Sequence, residues 1–127
     1  MQPARAQLEN WFGEAFQRVL RTAERAGVRL MLENIPMGVY PRAEQLIAFA
    51  QSVGSPAVGI CYDIANAHFI GEDAAAGLRA VRARLDIVHL SDTGRDAWRH
   101  DPVGRGSCDF AALSAQRCRR SGTPRHR

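Results

Sequence analysis

Apolar residues in the opening segment recur at helical spacing. Leu8, Trp11, Phe12, Ala15, Phe16, Val19, Leu20 and Ala23 share one broad face, and Gly27 supplies a stop. The period then changes. Val28-Arg29-Leu30-Met31-Leu32 is a short run of strand character that ends on Glu33. Residues 34–41 read as a loop through Pro36, Gly38 and Pro41. Pro41 can also open a second helix, in which Ala43, Leu46, Ile47 and Ala50 lie together before Gly54. The unit then repeats: Ala57-Val58-Gly59-Ile60-Cys61-Tyr62 reads as a buried strand closed by Asp63, and a loop follows. Leu78, Val81 and Leu85 mark a third helix within about residues 72–84, and Asp86-Ile87-Val88-His89-Leu90 a third strand. A polar stretch with Gly94, Pro102, Gly104 and Gly106 leads to Asp109, a suitable N-cap for a helix starting at Phe110.

The order α-β-α-β-α-β-α, with short continuous apolar strands, predicts a parallel sheet covered by helices. A doubly wound sheet and a (β/α)8 barrel both fit. No glycine-rich phosphate fingerprint follows a strand, which weakens the nucleotide-binding version. A complete barrel takes about 250 residues, so 127 residues supply only part of one.

Composition refines this picture in two places. The net charge of +4 would suggest a nucleic-acid partner, but Arg117, Arg119, Arg120, Arg125 and Arg127 account for it, and residues 1–116 carry a net −1. An acid-free, Arg-rich end reads as a solvated tail rather than a nucleic-acid arm, dividing the chain into residues 1–115 and a tail of 116–127. Cys61, Cys108 and Cys118 are odd in number and widely spaced, which argues against a disulfide framework, and Cys61 reads as a small core residue. No apolar run reaches the roughly 20 residues of a membrane span, and the start lacks the apolar core of a signal peptide, so a cytoplasmic protein is expected.

Candidate chemistry sits at the strand ends. Glu33 closes the first strand, Asp63 the second, and His89 lies near the end of the third. In a parallel barrel these ends converge on one face. Two carboxylates and an imidazole aimed at a common centre suit Mn²⁺, Mg²⁺, Zn²⁺ or Co²⁺. The plainer alternative is that each is an N-cap, a loop residue or a hydrogen-bonded core histidine.

Three stretches resemble strands five, six and seven of the xylose isomerase-like barrels: Leu32-Glu33-Asn34-Ile35-Pro36, Gly59-Ile60-Cys61-Tyr62-Asp63-Ile64-Ala65-Asn66-Ala67-His68 and Val88-His89-Leu90-Ser91-Asp92. The segment from His100 through Pro102, Gly104 and Gly106 to Asp109-Phe110 resembles the family's loop after strand seven, of the form H-x-P-x-G-x-G-x-x-D-[FW]. The likeness runs over about residues 5–113. That superfamily holds sugar and sugar phosphate isomerases and epimerases and the endonuclease IV group. The resemblance implies Glu33, Asp63 and His89 as metal ligands, with Glu33 also the acid/base that moves a proton through an enediolate. It further implies Asn66, Arg99, His100 and His68 as groups that bind substrate oxygens, although His68 also reads as a helix-start or surface histidine. Trp98 reads equally as a pocket wall or a loop anchor, and Trp11 and Phe12 as packing residues.

Departures from the pattern also inform. The family's fourth ligand, a Glu ending strand eight, has no counterpart after Leu113, and Val39 stands where epimerases often carry a second Glu. Asn66 and Trp98 occupy positions where endonuclease IV-like enzymes place a His and an Asp, which counts against a trinuclear zinc DNA-repair site. The expected function is thus a sugar isomerase or epimerase acting on a small sugar or sugar phosphate, with a catalytically inactive barrel fragment and a DNA-repair enzyme as alternatives. Three strands leave two open edges, so self-association or a completing chain is expected.

Overall fold

A computed structural model describes residues 3–114; the Arg-rich tail at 116–127 lies outside the described residues. Helix α1 spans Arg5–Ala26, strand β1 Leu30–Glu33, α2 Ala43–Val53, β2 Val58–Asp63, α3 Ile64–Phe69, α4 Ala74–Val81, β3 Leu85–His89 and α5 Phe110–Ser114. The strands form one parallel sheet in the order β1-β2-β3. Gly27 and Gly54 take the left-handed conformation expected of helix stops.

Two elements differ from the sequence reading. The stretch after Asp63 is helical rather than a loop, because the Asp63 carboxylate accepts the Asn66 N–H at 2.8 Å and caps a six-residue turn of helix. Leu85 belongs to β3, since a tight turn at Arg82–Arg84 ends the preceding helix early and turns the chain into the sheet. Asp109 caps α5 as expected, its carboxylate accepting the Ala112 N–H at 2.9 Å.

Strand alternation divides the sheet into two faces. Leu32, Ile60 and Tyr62 point to the helices and are buried with Leu20, Leu46 and Val81. The large core side chains thus lie on one side of the sheet, with Glu33, Cys61, Asp63 and His89 on the other. That is barrel geometry; a doubly wound sheet covers both faces with helices. β2 is buried throughout, whereas β3 leaves Ile87, Val88 and His89 exposed.

Helix α1 is fixed through an aromatic cluster. Phe12 and Phe16 meet Phe49 with ring centroids 5.4 and 5.2 Å apart, and Tyr40 stacks on Phe49 at 4.8 Å. Trp11, one position away on the helix, is 53% exposed and takes no part in this packing, contrary to expectation. The buried stripe runs by i, i+4 steps through 12, 16 and 20, which turns residue 11 outward.

One polar node lies inside the core. The fully buried Tyr62 donates its hydroxyl to Glu72 at 2.8 Å, and the other Glu72 oxygen accepts the Ala43 N–H at 3.0 Å, capping α2. Burial, together with the neighbouring Glu72 carboxylate, pushes the phenol well above its usual range, so it stays protonated and keeps its bond to Glu72. Tyr62→Phe leaves that carboxylate short of a partner. It is expected to lower unfolding stability by about 1–2 kcal/mol, read from urea midpoints at constant slope.

Candidate metal centre at the strand ends

The parallel register sets Glu33 level with Cys61, and Asp63 level with His89. The side chains at the C-terminal strand ends converge. His89 Nδ1 lies 3.2 Å from Glu33 Oε1 and 3.6 Å from Asp63 Oδ2, and His100 Nε2 approaches the same Asp63 oxygen at 3.5 Å. Cys61 joins them, with Sγ 3.6 Å from His89 Nδ1. The two oxygens of Asp63 have different neighbours: Oδ1 caps α3 while Oδ2 faces the two imidazoles.

Asn34 aligns these groups. Its side-chain amide donates to the Asp63 carbonyl at 2.9 Å and accepts the Asp63 N–H at 2.7 Å, clamping the end of β1 to the end of β2. It is fully buried. Alternation could have revealed it: residue 34 follows Glu33 and so points away from the site, where a polar side chain needs buried partners.

The loop after β3 is organised by Asp92, 1% exposed. Its carboxylate accepts N–H groups of Thr93 at 2.9 Å, Gly104 at 2.9 Å and Cys108 at 3.0 Å. Its backbone exchanges two hydrogen bonds with Asp101, next to His100. Gly106 is required because a Cβ there would run into the Asp92 carboxylate and the Thr93 backbone. Burial alone would raise the Asp92 carboxyl, but the N–H groups of Cys108, Gly106 and Gly104 outweigh it and hold the carboxyl well below the usual range. A depressed value stabilises the fold above an unfolded aspartate's value of about 3.9, and the contribution is lost as pH falls through the folded value. The stability gap between wild type and Asp92→Asn is therefore expected to be flat above about pH 5 and to shrink on acidification. A gap independent of pH down to the acid limit would mean that Asp92 contributes no charge-dependent bonding.

Trp98 acts as a loop anchor. Its indole N–H donates to Asn66 Oδ1 at 2.7 Å, and its ring lies over Phe69 at 6.4 Å and against His100 at 5.8 Å. Asn66 is 2% exposed, so its carbonyl oxygen holds the loop. Arg99 is exposed beside it, fixed through its backbone N–H to the Thr93 hydroxyl at 3.0 Å. His68 is not brought into the cluster. It meets the Ser107 hydroxyl at 2.8 Å and lines a separate cavity of about 420 Å³ with Arg95 and Cys108. Burial and the Arg95 charge lower its pKa.

Cys61, a core residue by its sequence setting, is 4% exposed. Burial, with Glu33 and Asp63 nearby, pushes its thiol up to about 11. Its place two residues before Asp63 on a strand was the available signal, because alternation returns both side chains to one face.

The sequence pattern of the xylose isomerase-like TIM barrels matches residues 2–116. The chain belongs to that family. It is 31% identical over 121 residues to the probable endonuclease 4 of Mycobacterium ulcerans, covering 84% of this chain and 47% of that protein. It thus spans about half the length of the relatives it matches. Among solved structures, a D-tagatose 3-epimerase-like protein superposes with a TM-score of 0.73 at 24% identity, over 84% of this chain and 42% of that one. The 3-keto-D-glucoside 4-epimerase YcjR of E. coli gives 0.74 at 18% identity, over 91% and 43%. These likenesses establish the fold of the family and its parallel sheet. Among the described residues, no helix is long and apolar enough to cross a membrane.

Proposed function

We propose that the chain is a metal-binding member of the sugar isomerase and epimerase branch, acting on a small sugar or sugar phosphate. The observation that carries the reading is the approach of Glu33, Asp63 and His89 to within 3.2–3.6 Å around one imidazole nitrogen. Two carboxylates and a nitrogen in that arrangement suit Mn²⁺, Mg²⁺, Zn²⁺ or Co²⁺. A divalent ion held by these residues would supply Lewis acidity, polarising a substrate carbonyl and acidifying the neighbouring C–H.

The two carboxylates divide the remaining work. Asp63 is 2% exposed and has both oxygens engaged, so it serves as a ligand and a positioning group. Glu33 is 31% exposed and faces the open side of the sheet, where a substrate can reach it, so it takes and returns the proton. His100, 47% exposed beside Asp63, and the exposed Arg99 are placed to bind substrate hydroxyls or a phosphate. Asn66 contributes by seating Trp98 and through it the loop that carries both. Ile87 on β3 and Leu90 just after it are 43% and 64% exposed, and we assign this edge to pairing with further barrel strands, from a completing segment or a second copy.

A second reading, DNA repair at abasic sites, is favoured by the endonuclease 4 relatives. Two assays on the same metal-loaded preparation separate the readings. Solvent-proton exchange at the carbon next to a ketose carbonyl, lost in Glu33→Gln, is the expected outcome. Strand cleavage at an abasic site in duplex DNA, without such exchange, would transfer the chain to the repair branch. Neither activity, with metal still bound, would leave a binding protein.

A further inference from the structure

We propose that Cys61 is a ligand of the divalent ion held by Glu33 and His89, which makes this a site for a borderline-soft cation such as Zn²⁺ or Co²⁺ in preference to Mg²⁺. The inference rests on the metal reading above and adds a donor to it.

Three observations carry it. First, the sheet delivers the thiol to the site: Cys61 pairs with Glu33 on one side and Ile87 on the other, on the face that also holds Asp63. Second, Glu33, Cys61 and His89 each offer a ligand atom within 4.8 Å of the others. Third, the N–S and N–O separations each match an edge length of a tetrahedral site. Sγ is 3.6 Å from His89 Nδ1 and 3.5 Å from Nε2, and Nδ1 is 3.2 Å from Glu33 Oε1. A tetrahedral zinc with a sulfur at about 2.3 Å and nitrogen and oxygen at about 2.0–2.1 Å has N–S edges of about 3.6 Å and N–O edges of about 3.3 Å. Because Sγ is almost equally far from the two ring nitrogens, it lies against the imidazole ring, and bringing it and one nitrogen onto a common ion takes turns of the His89 and Cys61 side chains on an unchanged paired backbone.

The chemistry decides the class of ion. A thiolate is a soft donor that suits zinc and cobalt, whereas magnesium takes oxygen ligands in near-ideal octahedra. As the sulfur–metal bond forms, the thiol proton leaves to solvent, so binding strengthens as pH rises. Asp63 Oδ2 is 3.6 Å from the same His89 nitrogen but is not one of the mutually close donors, so it would have to turn inward to take the fourth position.

The test is a Co²⁺ titration of the full chain followed by absorption spectroscopy. The expected result is a sulfur-to-cobalt charge-transfer band in the near ultraviolet that saturates at one equivalent. The Cys108→Ser/Cys118→Ser double variant, whose one remaining thiol is Cys61, keeps the band. Cys61→Ser loses it and binds Co²⁺ at least about tenfold more weakly. Zn²⁺ bleaches the band, and a large excess of Mg²⁺ does not. Far-ultraviolet circular dichroism verifies that each variant keeps the wild-type helical signal. If the double variant binds Co²⁺ in a manner lost in His89→Ala but shows no charge-transfer band, thiolate ligation is overturned and the oxygen–nitrogen site stands. If wild type takes up no Co²⁺, both fall.

Discussion

His89→Ala is expected to weaken binding of Mn²⁺ or Co²⁺ by more than about a hundredfold, because removal of a direct donor exceeds the 10–100-fold typical of outer-shell partners. His89 Nδ1 is the atom that the other donors surround, with Glu33 Oε1 at 3.2 Å and Asp63 Oδ2 and Cys61 Sγ at 3.6 Å. Deleting the imidazole leaves two carboxylates and a thiol with no common nitrogen. The fold should tolerate the change, since the side chain is 52% exposed on an edge strand and carries no core packing. Isothermal titration of wild type and variant, with urea midpoints alongside, separates lost ligation from lost structure. Equal affinities in the two proteins would remove the metal centre from this face of the sheet.

Asn34→Leu is expected to cost about 3–5 kcal/mol of stability, the largest single-residue effect on the fold. The Asp63 N–H and carbonyl both bond to the Asn34 amide inside the core, and neither finds water once that amide is gone. A buried backbone group without a partner costs about 1–3 kcal/mol, and here there are two. Domains are stable by only about 5–15 kcal/mol in total, so the variant should approach the limit of folding. Urea titration at unchanged slope measures the loss. Because the same clamp positions Asp63, metal affinity should fall together with stability. A stable Asn34→Leu chain with wild-type affinity would show that the strand ends hold their alignment unaided.

Particular residues show how much could be read before the fold was known. The βα alternation was legible because buried parallel strands are short apolar runs and the helices between them repeat at a different period. Glu33, Asp63 and His89 were legible because each closes such a run, and strand ends of a parallel sheet face the same way. The α3 turn at Ile64–Phe69 was not, since six residues carry too little periodicity to mark a helix and its start depends on the Asp63 cap.

Trp98 and His68 illustrate a second kind of gap. The pocket-wall and loop-anchor readings of Trp98 were equal in the sequence, and only the bond from its indole to Asn66 separates them. His68 shares a motif with Asp63 and Asn66, yet the helix that begins at Asp63 turns its side chain to Ser107 instead of the ligand cluster. Residues five apart on a helix lie about 140° apart around its axis, so proximity in sequence did not mean proximity in the site.

The sequence by itself determined the fold family, the parallel sheet and three of the side chains that meet at its C-terminal strand ends, because strand periodicity and strand-end chemistry are local properties of the chain. Tertiary structure alone decided that Cys61 joins those three, that Asn34 clamps them and that Asp92 shapes the loop above. Each of those roles depends on contact between segments 16–56 residues apart, set by the register of paired strands and the path of the long loop. Such contacts leave no mark in local composition, since a buried Cys, Asn or Asp looks the same in sequence whatever it meets across the sheet.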